Sequence, residues 1–126
     1  MDKRSSVAKI KKFKAGKKKD AELFILESVF MLASGSIICR PIESSKDWAD
    51  QGRFYQRYNS IFDSILNDGK SLLISEREAR LITDVAFKSP SAAASICSGY
   101  SENGYEFWKG LKLFKTINEK EKENIL

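Results

Sequence analysis

The sequence predicts a single α+β domain, a small antiparallel sheet packed against one long and one short helix. Three observations carry that expectation. Short apolar runs crowd residues 22–39, a stripe of apolar residues at steps of three and four runs from Phe54 to Leu66, and Ser89-Pro90-Ser91-Ala92-Ala93-Ala94 opens a second, shorter helix. A chain of 126 residues is long enough for one core and short for two, and 42% hydrophobic with 31% charged residues fits a packed domain.

In chain order, MDKRSSVAKIKKFKAGKKKD comes first, and its residues 1–19 hold nine of the basic residues against Asp2 alone, a net +8. Val7, Ile10 and Phe13 recur at steps of three, too few to sustain an isolated helix in water. Residues 1–20 are therefore expected to be a flexible basic tail that becomes ordered on a polyanion, with a merely solubilising tail as the plain alternative. The body from Asp20 to Leu111 carries −4 and the last fifteen residues +1, so the overall +5 belongs to the leader.

From Ala21 the composition turns apolar. Leu23–Leu26, Val29–Leu32 and Ile37–Cys39, separated by Glu27-Ser28 and Ser34-Gly35-Ser36, read as a three-stranded meander, with one buried helix over Glu22–Ser34 as the rival. Phe54, Tyr58, Ile61, Phe62, Ile65 and Leu66 form the apolar face of the helix that should build the core, with Arg53, Arg57 and Asp63 off that face and Gly69 as its stop. Trp48 is expected to pack the entry to this helix. Leu72–Ile74 and Leu81–Phe87 read as a hairpin around the loop Ser75-Glu76-Arg77-Glu78. Ser89 then caps a helix with Pro90 in its first position, Gly99 closes it, Asn103-Gly104 is the dipeptide of a two-residue hairpin turn, and Tyr105, Phe107 and Trp108 favour a strand. Residues 21–111 are thus the folded domain, and residues 112–126 a charged tail with helical spacing in Leu113, Phe114 and Ile117.

The stretch around that second helix carries a resemblance. Ser89, Pro90, Ser91, Ala92, Ala93, Ala94, Gly99, Asn103, Gly104, Trp108 and Lys109 match the signature of the domain of unknown function 4357, and the similarity runs from about Glu22 to Leu111. Members of that family are often appended to the C-terminal side of GIY-YIG-type nucleases, and the restriction-enzyme adenine-methylase-associated module, proposed to read modified DNA, has a related pattern. The resemblance implies a nuclease-associated accessory module of a bacterial or phage DNA-processing or restriction/defence system.

The chain has no histidine, which removes Ser-His-Asp triads, Cys-His pairs and HExxH metal sites, and its two cysteines are too few for a structural zinc site. Neither a phosphate-binding loop nor the tripeptides of a GIY-YIG core occur. Cys39 and Cys97 are expected to be free thiols. Two carboxylate pairs, Asp47 with Asp50 and Glu76 with Glu78, could in principle hold a magnesium ion, but helix capping and neighbouring arginines explain them more simply. No cofactor is expected, nor a membrane contact: the sequence has no apolar secretory segment or bilayer-spanning run, so a cytoplasmic protein is anticipated.

Binding is better supported than catalysis. Candidate nucleic-acid contacts are Lys9, Lys11, Lys12, Lys14, Lys17, Lys18 and Lys19 in the leader, and Ser91 at a helix N-terminus with Lys109 reaching the same phosphate. The expected function is a non-catalytic nucleic-acid-binding module, with DNA as the partner. The alternatives are an inhibitor or adaptor that binds a nuclease or defence protein, favoured by the acidic body, and a divergent magnesium-dependent nuclease using Asp47 and Asp50.

Overall fold

A computed structural model describes residues 12–16, 20–41 and 49–115 of the chain. Among them, the strands are β1 (Lys12–Lys14), β2 (Glu22–Leu26), β3 (Val29–Leu32), β4 (Ile37–Cys39), β5 (Ser71–Leu73), β6 (Glu78–Leu81) and β7 (Val85–Phe87). The helices are α1 (Ala49–Asn67), α2 (Pro90–Ser98) and α3 (Gly104–Phe107), followed by a last helical turn over residues 111–115. The α+β class is as expected, but the strands divide between two antiparallel sheets, ordered β1-β2-β3-β7 and β4-β6-β5.

Phe13 corrects the expected boundary at residue 20. It shares a row with Leu23, Leu32 and Val85 across the larger sheet, and all four are buried. The reason is period: Lys12-Phe13-Lys14 alternates polar, apolar, polar as an edge strand does, whereas Val7, Ile10 and Phe13 taken together suggested a helical step of three. The folded body therefore begins within the basic leader. Val7 and Ile10 lie outside the described residues, as do Trp48, Ile117 and residues 116–126.

β2 and β3 form the expected hairpin, with Leu26 paired to Val29 across Glu27-Ser28. Both turn residues have positive φ, 50° and 69°, so this is the tight turn whose twist matches the strands, built without glycine. Left-handed backbone costs such side chains about 1 kcal/mol each. Replacing Glu27→Asn and Ser28→Gly together is therefore expected to raise the unfolding free energy by about 1 kcal/mol, read from the urea midpoint.

The expected meander ends at β3, because β4 pairs with β6 instead. Likewise the anticipated strand Leu81–Phe87 breaks into the end of β6 and the whole of β7, which belong to different sheets. The two crossings run side by side and satisfy each other: the Gly35 N–H donates to Leu81 O (2.8 Å), the Leu81 N–H to Ser36 O (2.9 Å) and the Ser34 N–H to the Asp84 carboxylate (2.7 Å). Neither partner is near the other in sequence, so local patterning carries no sign of the break.

α1 forms where its apolar stripe predicts, and Gly69, at φ 75°, stops it. Arg40 at the end of β4 fastens to its face, with the guanidinium 2.7 Å from Asp63, 3.0 Å from the Asn59 amide oxygen, and above the Phe62 ring. The helix at the centre, however, is α2. Seven of its nine residues are buried, and it touches β3, β4, β7, α1 and α3. Its alanines and serines let neighbouring backbone approach closely, which a helix of large side chains such as α1 does not allow. Cys39 and Cys97 are not joined in a disulfide, and the Cys39 thiol lies 3.4 Å from Arg40 O, to which it donates.

Candidate nucleic-acid interface

The signature stretch is a packing device. The Ser89 hydroxyl accepts from the Ala92 N–H (3.0 Å), and Gly99 ends the helix at φ 82°, its N–H donating to Ser95 O. Buried serines then hold the following loop, as the Tyr100 N–H donates to the Ser98 hydroxyl and the Glu102 N–H to that of Ser95. Asn103 caps α3 through the Tyr105 N–H, at φ −88°. Asn103-Gly104 is thus a helix start, and Tyr105–Phe107, expected as a strand, is its single turn. Trp108 alone pairs in β fashion, with Ala15.

The start of α2 is consequently covered. The Gly104 N–H donates to the Ser91 hydroxyl (2.9 Å), and a Cβ at Gly104 would lie 2.4 Å from the Ser91 nitrogen. Ser91 and Lys109 do not come together around an anion: Ser91 is engaged with α3, while Lys109 lies beside β1, its N–H donating to Lys14 O (2.9 Å).

Lys109 meets other predicted residues there. Lys12 and Lys14 occupy the same side of β1, opposite buried Phe13, and all three lysines are exposed. None has a carboxylate in salt-bridge range among the described residues. Lys14 and Lys109 line one wall of a cleft of about 400 Å³ that also includes Asp20, Glu22, Ser34 and Ser36. Asp20 is paired with Arg80 (3.2 Å), which draws its charge away from the lysines. Lys9, Lys11, Lys17, Lys18 and Lys19 lie outside the described residues.

A second cationic locus was not legible in the sequence. Arg57, Lys70 and Lys88 surround a groove of about 300 Å³ between α1 and β7, floored by Ile61, Ile65, Val85 and Phe87. Arg57 was noted as lying off the helix stripe, but Lys70 and Lys88 are isolated lysines whose only signal is their convergence in space. β1 and β7 are opposite edges of the larger sheet, three strand spacings or about 14 Å apart, so the two loci do not form one continuous strip.

Other expected sites fare less well. Tyr58, on the apolar face of α1, is buried in the core, and Asp47 is outside the described residues. Glu76 and Glu78 lie around a tight loop in which the Ser75 hydroxyl accepts from the Arg77 and Glu78 N–H groups. Among the described residues no three His, Cys, Asp or Glu side chains gather so as to hold a metal ion, and no helix is long and apolar enough to cross a membrane.

The class defined by this geometry is a small α+β module whose signature residues hold the fold together and whose exposed lysines include a group at the β1 edge. A family model described as Domain of unknown function (DUF4357) matches residues 12–120, and the chain belongs to that family. The match starts at the first residue of β1. No curated protein and no solved structure matches the chain.

Proposed function

We propose that this protein is a non-catalytic nucleic-acid-binding accessory module, with DNA as its partner, serving a bacterial or phage DNA-processing or restriction/defence system. The observation that carries the reading is the exposed trio Lys12, Lys14 and Lys109, without a carboxylate in salt-bridge range among the described residues, at the edge strand into which the most basic stretch of the chain leads. Such a surface neutralises phosphates without reading bases.

Fluorescence anisotropy with labelled duplex and single-stranded DNA tests it. The full chain is expected to bind at low salt, and Lys14→Glu with Lys109→Glu to reduce the slope of log affinity against log salt by about 2, one for each phosphate contact. Deleting residues 1–11 should weaken binding further. The deletion must stop there, because removing residues up to 19 takes β1 and Phe13 out of the core. Absence of low-salt binding, or unchanged affinity in both variants, would replace the reading.

The groove between α1 and β7 favours a second reading, an inhibitor or adaptor that receives a segment of a nuclease or defence protein on Ile61, Ile65 and Phe87. Stoichiometric recovery of one protein from nuclease-treated extract, abolished by Ile61→Glu, would establish it over the first.

A further inference from the structure

Arg57, Ile61 and Ile65 follow one another at steps of four along α1, so they form a single row down one side of the helix. Val85 and Phe87 share a face of β7 for the equivalent reason, a period of two. These two rows are the walls of the groove of about 300 Å³, with Ile65 and Val85 buried at its base and Ile61 and Phe87 half-buried toward its rim. A cleft of that size stands at the small end of ligand sites, with room for a small molecule rather than for a helix about 10 Å across.

Charge selects the ligand. Arg57 heads the helix row and Lys88 comes directly after Phe87, so each wall carries a cation. Both are exposed, and neither has a carboxylate in salt-bridge range among the described residues. The carboxylate on this groove, Asp68, stands with Lys70 just past the end of α1, about 16 Å from Arg57 along the helix axis. Asp63, nearer to Arg57 in the helix, is held by Arg40 at 2.7 Å. Three cations thus face one acid around an apolar floor, and the Arg57 end is the more positive. Inorganic phosphate would leave that floor in water, and a plain hydrocarbon would leave the cations without a counter-charge. A molecule with an apolar body and one anionic head satisfies both.

We propose that the groove between α1 and β7 binds a small amphipathic carboxylate, its body on Ile61, Ile65, Val85 and Phe87 and its head at Arg57 and Lys88. The proposal rests on neither functional reading: the lysines assigned to nucleic acid lie at the opposite edge of the sheet, and no protein partner is required. Octanoate, about ten heavy atoms with one carboxylate, is the probe, and octylamine is the control with the same chain and the opposite charge. Titrated into the full chain carrying carbon-13-labelled isoleucine methyls, octanoate is expected to shift Ile61 and Ile65 with a dissociation constant on the order of 100 μM, which suits a ligand of that size in an open groove. Ile74, 53% exposed and outside the groove, is the internal reference and should not move. Octylamine should leave all three in place. Arg57→Glu and Lys88→Glu are each expected to weaken octanoate roughly fivefold, with circular dichroism checking that these exposed substitutions leave the fold intact. Ile61 and Ile65 unmoved at about 2 mM octanoate, an equal response to octylamine or at Ile74, or wild-type affinity in both variants would overturn the proposal.

Discussion

Gly104→Ala is expected to lower the unfolding free energy by about 3 kcal/mol or more, a large share of the 5–15 kcal/mol typical of a domain. The added methyl would sit 2.3 Å from the Pro90 carbonyl carbon, 2.4 Å from the Ser91 nitrogen and 2.7 Å from the Pro90 oxygen. All three are backbone atoms of the first turn of α2, so no rotamer change relieves the overlap. Moving α3 outward stretches the bond from the Gly104 N–H to the Ser91 hydroxyl and withdraws Trp108 from Pro90. The glycine's backbone angles are not the reason, since its φ is not positive; the requirement is purely steric. Urea denaturation of the purified chain measures the effect, and a loss below about 1 kcal/mol would show that α2 and α3 can separate at little cost.

Trp108→Ala is expected to cost about 3–5 kcal/mol, and Trp108→Phe about 2 kcal/mol. Trp108 is the largest of the fully buried side chains, packs edge-on against Phe107 at 4.8 Å, and donates its indole N–H to Pro90 O at 3.0 Å. Alanine removes the ring and leaves a cavity between β1 and α2. Phenylalanine keeps much of the packing but cannot donate, so the difference between the two variants separates volume from hydrogen bonding. Equal stability of Trp108→Phe and wild type in the same denaturation experiment would mean that the indole donor contributes nothing. Because Ala15, next to Lys14, pairs with Trp108, both variants are also expected to loosen the lysine edge and weaken DNA binding, which anisotropy would detect.

These two substitutions bear on what a family signature means. Ser89, Pro90, Ser91, Gly99, Asn103, Gly104 and Trp108 look in the sequence like a start, a stop, a turn and a strand, with an anion site at one end. In the structure Gly99 closes the far end of α2, and the others gather around its first turn, where the Gly104 N–H donates to the Ser91 hydroxyl and the Trp108 indole to Pro90 O. Of the signature positions, Lys109 is the one that carries a charge, exposed and without a carboxylate partner among the described residues, and it joins the basic leader at β1. The candidate site was therefore half legible. Its charge could be counted from residues 1–19, but the grouping of Lys12 and Lys14 with Lys109 required the bond between Lys109 and Lys14.

What the sequence by itself determined is what neighbours within a turn or two can decide. Ser89 and Pro90 start α2, Gly99 and Gly69 stop helices, the Phe54–Leu66 stripe makes α1, and Glu27-Ser28 reverses the chain between β2 and β3. Each rests on a cap, a left-handed residue or a period that closes over a few residues. Only the tertiary structure decided which strands share a sheet, that Phe13 belongs to the core, and that Asn103-Gly104 begins a helix. Asn-Gly serves a hairpin turn or a helix cap equally well by local preference, and the choice was made by Pro90 and Ser91, a dozen residues upstream, whose backbone leaves room beside it for glycine alone.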